Sequence, residues 1–247
     1  MRPPVDTIPA PPFPPRAPWI NVASLRMDKQ LGRPVLVEFW DFCRPNSMRT
    51  LPYLREWHRR YADAGLRVVG VHASGFPPSA DTEAVRAAVS RLGIEYAVVV
   101  DERFEIWEAY GTDGWPSRYL WGPQATLFDY HFGEGAYEET ERAIQELLDE
   151  EREPVAPRRP EDVPGARLVP QSPDQPGPWS GAYAAGGVWA VLEGRGMVRV
   201  NGAEVEVNHP GAYPLVEHER HTEAELELEV GDGVTCHAVC FTPGVAG

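Results

Sequence analysis

Three cysteines, Cys43, Cys236 and Cys240, are the residues of this chain whose chemistry depends most on where the fold sets them. Cys43 lies in Phe39-Trp-Asp-Phe-Cys-Arg-Pro-Asn-Ser-Met-Arg-Thr-Leu-Pro52, a stretch that reads as the exit of a buried strand and the opening of a helix. Backbone N–H groups and the dipole of a helix favour an anion at such a place, so a thiol there is expected to ionise more readily and to act as a nucleophile. A thiol buried after a strand would instead behave as a small hydrophobe, and the exposure of Cys43 separates the two outcomes. Cys236 and Cys240 read as residues of one strand, about 13 Å apart and too far for a bridge. Together with Val234 and Ala238 they fit the inward face of that strand. Without a disulfide pair, a reducing cytoplasmic setting is expected. The opening Met1-Arg-Pro-Pro-Val-Asp has no apolar run of the kind a signal peptide needs.

Other constellations carry less. His209, His218, His221 and His237 fall in one short region beside Cys236, but an alternating strand sends Cys236 and His237 to opposite faces, so no metal is expected. Trp179, Tyr183 and Trp189 could stack on a sugar, although aromatics so spaced also cover a sandwich core, which is the preferred reading. Glu138, Glu139, Asp149, Glu150 and Glu151 read as a solvated helix face and end, and Glu134 as a residue that could cap that helix. No glycine-rich phosphate loop and no Gly-x-Ser-x-Gly is present, so neither a nucleotide cofactor nor serine hydrolase chemistry is expected. With 23 basic against 37 acidic residues the net charge is −14, which argues against nucleic acid or an anionic membrane surface as a partner. Lys29 is the single lysine, so lysine-dependent chemistry has one weak candidate.

The elements that must position these residues follow from pattern. Residues 1–18 are so rich in proline that an extended tail, unable to pair as strand or helix and wrapping its own domain, is expected. From 19 to 151 strands and helices alternate. Pro34–Trp40, Leu66–His72 and Tyr96–Val100 are apolar runs suited to strands covered on both faces. Leu51, Leu54, Trp57 and Tyr61 recur at helical spacing around Pro52, Asp81 caps a helix that runs to Leu92 and ends at Gly93, and a short helix runs through Trp107. Arg118–Trp121 and Thr126–His131 read as an antiparallel pair, and a last helix from Tyr137 to about Glu150 buries Tyr137, Thr140, Ile144, Leu147 and Leu148. Residues 152–177, rich in Pro, Arg and Glu, read as a linker. In 178–247 the period becomes two. Asn201-Gly202 between alternating runs is a hairpin signal that sets Val200 opposite Ala203 and Val198 opposite Val205. Ala224–Val230 turns at Gly231-Asp232-Gly233 and returns as Val234–Phe241, so an antiparallel β-sandwich is expected.

The order β-α-β-α-β-α-β-β-α, with a central mixed sheet and helices on both faces, is that of a thioredoxin-like α/β domain. Val-Glu-Phe-Trp (37–40), Arg-Thr-Leu-Pro-Tyr-Leu-Arg-Glu-Trp-His (49–58), Val-Val-Gly-Val-His (68–72) and the run from His131 to Glu141 resemble the TlpA/DipZ group of thioredoxin-like redoxins over roughly 19–151. The resemblance implies a cis Pro116 in Gly114-Trp-Pro-Ser117, facing the redox centre. It also implies, more loosely, a C-terminal sandwich resembling a carbohydrate-binding module. The family exchanges disulfides through Cys-x-x-Cys followed by a hydrophobic residue and Arg-Thr-Leu-Pro. Aligned without gaps those cysteines fall on Arg44 and Ser47; aligned on Phe-Cys-x-Pro, Cys43 is the nucleophile and Asn46 stands for the second thiol. One thiol cannot release its own mixed disulfide, so ordinary dithiol exchange is expected to be absent. Two readings follow. In one, Cys43, with Arg44 beside it and Ser47 or a small thiol to complete the turn, is a one-cysteine reductase or a peroxide-reactive thiol. In the other the domain is redox-inactive, and a groove of Trp40, Phe42, Pro45, Asn46, Trp115 and Pro116 binds a peptide or protein.

Overall fold

The computed structural model describes residues 1–5 and 7–247. Its elements in chain order are β1 (Trp19–Ile20), β2 (Val35–Trp40), α1 (Pro45–Tyr61), β3 (Arg67–His72), α2 (Thr82–Arg91), β4 (Ala97–Val100), α3 (Glu105–Tyr110), β5 (Ser117–Trp121), β6 (Leu127–Phe132) and α4 (Tyr137–Leu148). There follow β7 (Leu168–Val169), β8 (Gln175–Pro176), β9 (Gly181–Gly194), β10 (Gly196–Val200), β11 (Ala203–Val207), β12 (Gly211–Leu226), β13 (Leu228–Val230), β14 (Val234–Thr242) and β15 (Gly244–Val245). By internal contacts the chain divides into two units: 1–41, 49–75 and 80–156 form the first, and 42–48, 76–79 and 157–247 the second. Among the described residues no helix is long and apolar enough to cross a membrane.

The first unit is a thioredoxin-like fold around a six-stranded mixed sheet in the order β1-β4-β3-β2-β5-β6. β2 runs parallel to β3, and β3 to β4, while β5 and β6 are antiparallel additions. Every residue of β2 is buried, because both faces of a central strand are covered. Val35, Val37 and Phe39 enter a core with Val69, Val71, Val99, Ile106, Tyr110, Tyr119 and Trp121. Glu38 and Arg118 lie on the other side, where Arg118 reaches Thr140 of α4 and lies over the Trp57 ring of α1. The Asp81 side chain accepts the Ala84 N–H at 2.9 Å, which starts α2 as its sequence indicates. α1 keeps Pro52 in its interior.

Two expectations for this unit are corrected. The proline-rich start does pair: Pro9 bridges Thr126, Ala10 donates to Ala125 O at 2.8 Å, and Ile8 O accepts from Leu127. The residues between the prolines keep their donors and acceptors, and the free edge of β6 offers them partners. On α4, Leu147 and Leu148 are only half-buried, while Glu141 and Gln145 are buried in their place. Glu141 earns its burial by accepting from Trp57 Nε1, Tyr61 OH and Val155 N.

The second unit is all-β outside residues 42–48 and 76–79, with sheets in the order β12-β9-β14-β8 and β11-β10-β13 and a small β15-β7 pair. Its core holds Ala185, Val188, Ala190, Leu192, Val198, Val200, Val207, Leu226, Val239 and Phe241. The 201–202 hairpin has the expected register, with φ of 49° at Asn201 and 84° at Gly202, a pair of left-handed residues that such a turn requires. Within 152–177, set apart on sequence as a linker, Leu168–Val169 pairs with β15 and Gln175–Pro176 with β14. The expected pairing of 224–230 with 234–241 does not occur. β12 and β14 both flank β9, and β13 joins β10 in another sheet, because the chain breaks at Glu227, whose N–H is taken by Asn201 Oδ1. The common inward face assigned to Val234, Cys236, Ala238 and Cys240 is also corrected. A bulge between Cys236 and Ala238 reverses the alternation, so Cys236, Val239 and Phe241 face the core while Ala238 and Cys240 do not.

Candidate functional site

β2 ends at Trp40 and α1 begins at Pro45, so the loop between them is four residues long. Pro45 suits the first helical position, where a missing N–H costs nothing, and Arg44 O accepts the Met48 N–H at 3.1 Å as the helix opens. No acidic residue stands in the first turn of α1 to offset the positive pole of the helix dipole, and Cys43 lies just before that end.

Cys43 is 0% exposed, and none of the three cysteines is in a disulfide. Phe42 is 1% exposed, Pro45 and Ser47 are buried, and Arg44 and Asn46 are half-buried. The Phe42 carbonyl accepts the Ala212 N–H at 3.0 Å. The Arg44 guanidinium stands 4.6 Å over the Phe76 ring, where its planar cation is well placed.

Trp40 was expected on a groove surface and is instead a core side chain, 2% exposed, with its ring edge-on to His72. A strand covered on both faces has no outward position, and the lack of a side chain at Gly70 makes room for this indole: a Cβ there would fall 2.9 Å from Trp40 Nε1. In the first unit Trp115 is half-buried, donates from Nε1 to Ala73 O at 2.9 Å and packs on Trp107. The Trp115–Pro116 bond is cis, as the resemblance implied, and Pro116 O accepts the Gly133 N–H at 2.8 Å.

Sequence reasoning missed Asp41 and His72, which close the C-terminal ends of two parallel strands. Both are fully buried, with His72 Nε2 3.6 Å from Asp41 Oδ1, and Asp41 Oδ2 accepts the Gly75 N–H at 2.7 Å. The pairing of two parallel strands that end in Trp40 and His72 was the available signal. Arg49, one turn into α1, pairs with Glu134 at 2.7 Å, and this is the role the structure gives Glu134 rather than a cap.

The other thiols are buried too, Cys236 in the sandwich core and Cys240 on the opposite face of β14. Burial pushes Cys236 up to about 11, and burial followed by the neighbouring Asp174 carboxylate pushes Cys240 higher still. Two histidines of the second unit bond within the protein, His218 to Tyr183 OH at 2.9 Å and His237 to Glu193 at 3.0 Å. Tyr183 is in the core, and Trp179 packs against it through Phe241. Among the described residues no group of three or more His, Cys, Asp or Glu side chains is arranged to hold a metal ion.

No protein-family model matches the chain. Over 159 residues it is 31% identical to protein DipZ of Mycobacterium bovis, an alignment covering 62% of this chain and 22% of that protein. It is 24% identical over 125 residues to thiol-disulfide oxidoreductase ResA of Halalkalibacterium halodurans, covering 51% of this chain and 68% of that one. Among solved structures, a putative thiol:disulfide interchange protein DsbE from Chlorobium tepidum superposes with a TM-score of 0.51 at 22% identity, over 57% of this chain and 96% of that chain. The chain fits the thioredoxin-like redoxin family. The matched part of this chain spans about a fifth of the length of DipZ, at 22%. Where a dithiol member carries its two cysteines, this chain reads Phe42-Cys-Arg-Pro-Asn-Ser47.

Proposed function

We propose that this redoxin is a redox-silent scaffold, a thioredoxin fold kept for binding a protein or peptide rather than for turning over disulfides. The observation that carries the reading is the zero exposure of Cys43 in a loop holding no second thiol. A thiolate must reach a disulfide sulfur in line to attack it, and a second thiol must then release the mixed disulfide. Neither condition is supported by the loop: Cys43 has no accessible surface, and Arg44, Asn46 and Ser47 offer no thiolate. With Trp40 and Phe42 buried, the side chains of the loop left for a partner are half-buried Arg44 and Asn46. No cofactor is required by this role, and three unbridged thiols suit a reducing, cytoplasmic compartment.

The test is alkylation of the native protein by iodoacetamide, with the labelled cysteine located by mass spectrometry. Cys43 is expected to be labelled far more slowly in the native protein than after unfolding. Rapid labelling with an apparent pKa well below the roughly 8.5 of a free thiol would overturn the reading.

A second reading is favoured by the place of Cys43 just before a 17-residue helix with no acid in its first turn. There the thiolate would take one oxygen from a hydroperoxide, giving a sulfenate and an alcohol; one small thiol would then form a mixed disulfide with loss of water, and a second would release Cys43 as the thiol and leave as a small-molecule disulfide. That reading expects trapping of a sulfenate by dimedone at Cys43, abolished by Cys43→Ser and untouched by Cys236→Ser.

A further inference from the structure

We infer that the start of β12, Gly211–Ala212, is a built-in peptide that sits on the Cys43 loop and sets how often Cys43 can be reached. This deepens the silent-scaffold reading and rests on it, since it names what holds the loop shut.

The inference begins at a sheet edge. β12 is the outer strand of β12-β9-β14-β8, so half of its backbone groups point away from the sheet and need partners. Ala212 faces Val191 of β9 in register, yet its N–H is directed off the sheet to Phe42 O, 3.0 Å away. Gly211 precedes it at a φ of 155° that side chains rarely adopt, and a Cβ on it would stand in van der Waals contact with that same oxygen, at 3.6 Å. An extended edge backbone whose N–H donates to a loop carbonyl, as Ala212 does here, is the contact by which strand addition holds a peptide, and the chain supplies its own.

A second observation, independent of that bond, puts the loop on the same side. The bulge in β14 turns Ala238 and Cys240 away from the sandwich core, and Val191 of β9 is likewise outside it. These residues are nevertheless buried, at 6%, 2% and 0% exposure, so a second face of the sheet is covered. Arg44 of the 42–48 loop rests on Phe76 of the same unit, and its charge opposes, as a minor influence, the upward push of burial on the Cys240 thiol, which is consistent with that face lying toward the loop. Access to Cys43 is then governed by release of the β12 end rather than by the intrinsic reactivity of the thiol.

Ala212→Pro tests this without touching the ladder. It deletes one N–H on the outer edge of an edge strand that already carries a proline two residues on, at Pro214. Loss of this one hydrogen bond should raise the open fraction and hence the iodoacetamide labelling rate of Cys43 about fivefold. Ala212→Ser keeps the N–H and should label like the wild type, and Cys236 should stay unlabelled in both. A circular-dichroism melt shows that the variants are folded. In the unaltered protein, hydrogen exchange at the Ala212 amide should be slow despite its edge position. Slow wild-type labelling that Ala212→Pro leaves unchanged, or an Ala212 amide exchanging like a free peptide, overturns the inference while leaving the silent-scaffold reading in place. Rapid wild-type labelling of Cys43 overturns that reading itself.

Discussion

In the first unit the middle of the sheet holds an ion pair, with Arg118 Nε 3.0 Å from Glu38 Oε2 and both side chains within 2% of full burial. Nearby, Glu141 gathers Trp57, Tyr61 and Arg60. In the second unit the corresponding interior is aliphatic and aromatic, and its notable polar contact is Tyr183 OH with His218. The difference follows from architecture. An antiparallel sandwich satisfies its backbone within its ladders and needs only apolar side chains between sheets. A sheet with helices packed on it can bury long polar side chains if helix residues such as Thr140 and strand residues such as Glu38 meet them. Burial drives the Glu38 carboxyl up and the Arg118 charge draws it down, with burial the larger influence. The pair is therefore a constraint on which sequences fit, more than a source of stability.

The largest expected effect breaks that pair. Glu38→Ala or Arg118→Ala leaves a charge buried without its partner and should cost about 3–5 kcal/mol in urea unfolding. Replacing both residues by methionine should restore most of the loss. If Glu38→Ala costs no more than a surface substitution, the contrast between the two interiors has no energetic content. The matching change in the second unit is Tyr183→Phe, which removes the 2.9 Å contact to His218 and keeps the ring stacked on Phe241. It should cost about 1 kcal/mol, because a single neutral hydrogen bond is at stake. A cost as large as that of Glu38→Ala would show that the second interior depends on polar contacts just as strongly.

What was legible in the sequence, and what was not, follows the same division. β2, β3 and β4 were legible because unbroken apolar runs have one use, a strand covered on both sides. Asp81 and the Asn201-Gly202 turn were legible because their roles are local. The first stretch of β9, Gly-Ala-Tyr-Ala-Ala-Gly-Gly (181–187), gave no period-two signal, since alanine and glycine fit either face. The reversal between Cys236 and Cys240 was hidden because a bulge leaves composition unchanged. At the site, the loop around Cys43 was recognisable by type, but its burial was not. The contact that accompanies that burial joins Phe42 to Ala212, a pairing across most of the chain that no local pattern announces.

The smallest effect concerns two histidines of the first unit. Burial lowers both His58 and His131 from the ordinary value of 6.5. Glu95 and Arg67 act on His58 in opposite senses; His131 lies near Arg118, Asp129 and the N-terminus, and its Nε2 meets Glu134 O at 2.9 Å. As the pH falls through about 6.5 the unfolded chain takes up protons that the folded one refuses, so these residues make the protein less stable in acid. Glu38 and Asp101 have raised values and act in the opposite sense, because their folded forms bind protons more readily. The histidine contribution is thus read as a difference: between pH 7.5 and 5.5 the wild type should lose more stability, or gain less, than a His58→Gln/His131→Gln variant, by urea unfolding at each pH. Parallel pH dependences would mean that both imidazoles stay hydrated enough to take up their protons in the folded protein. The first interior would then be less closed at its rim than the buried Glu38–Arg118 pair suggests at its centre.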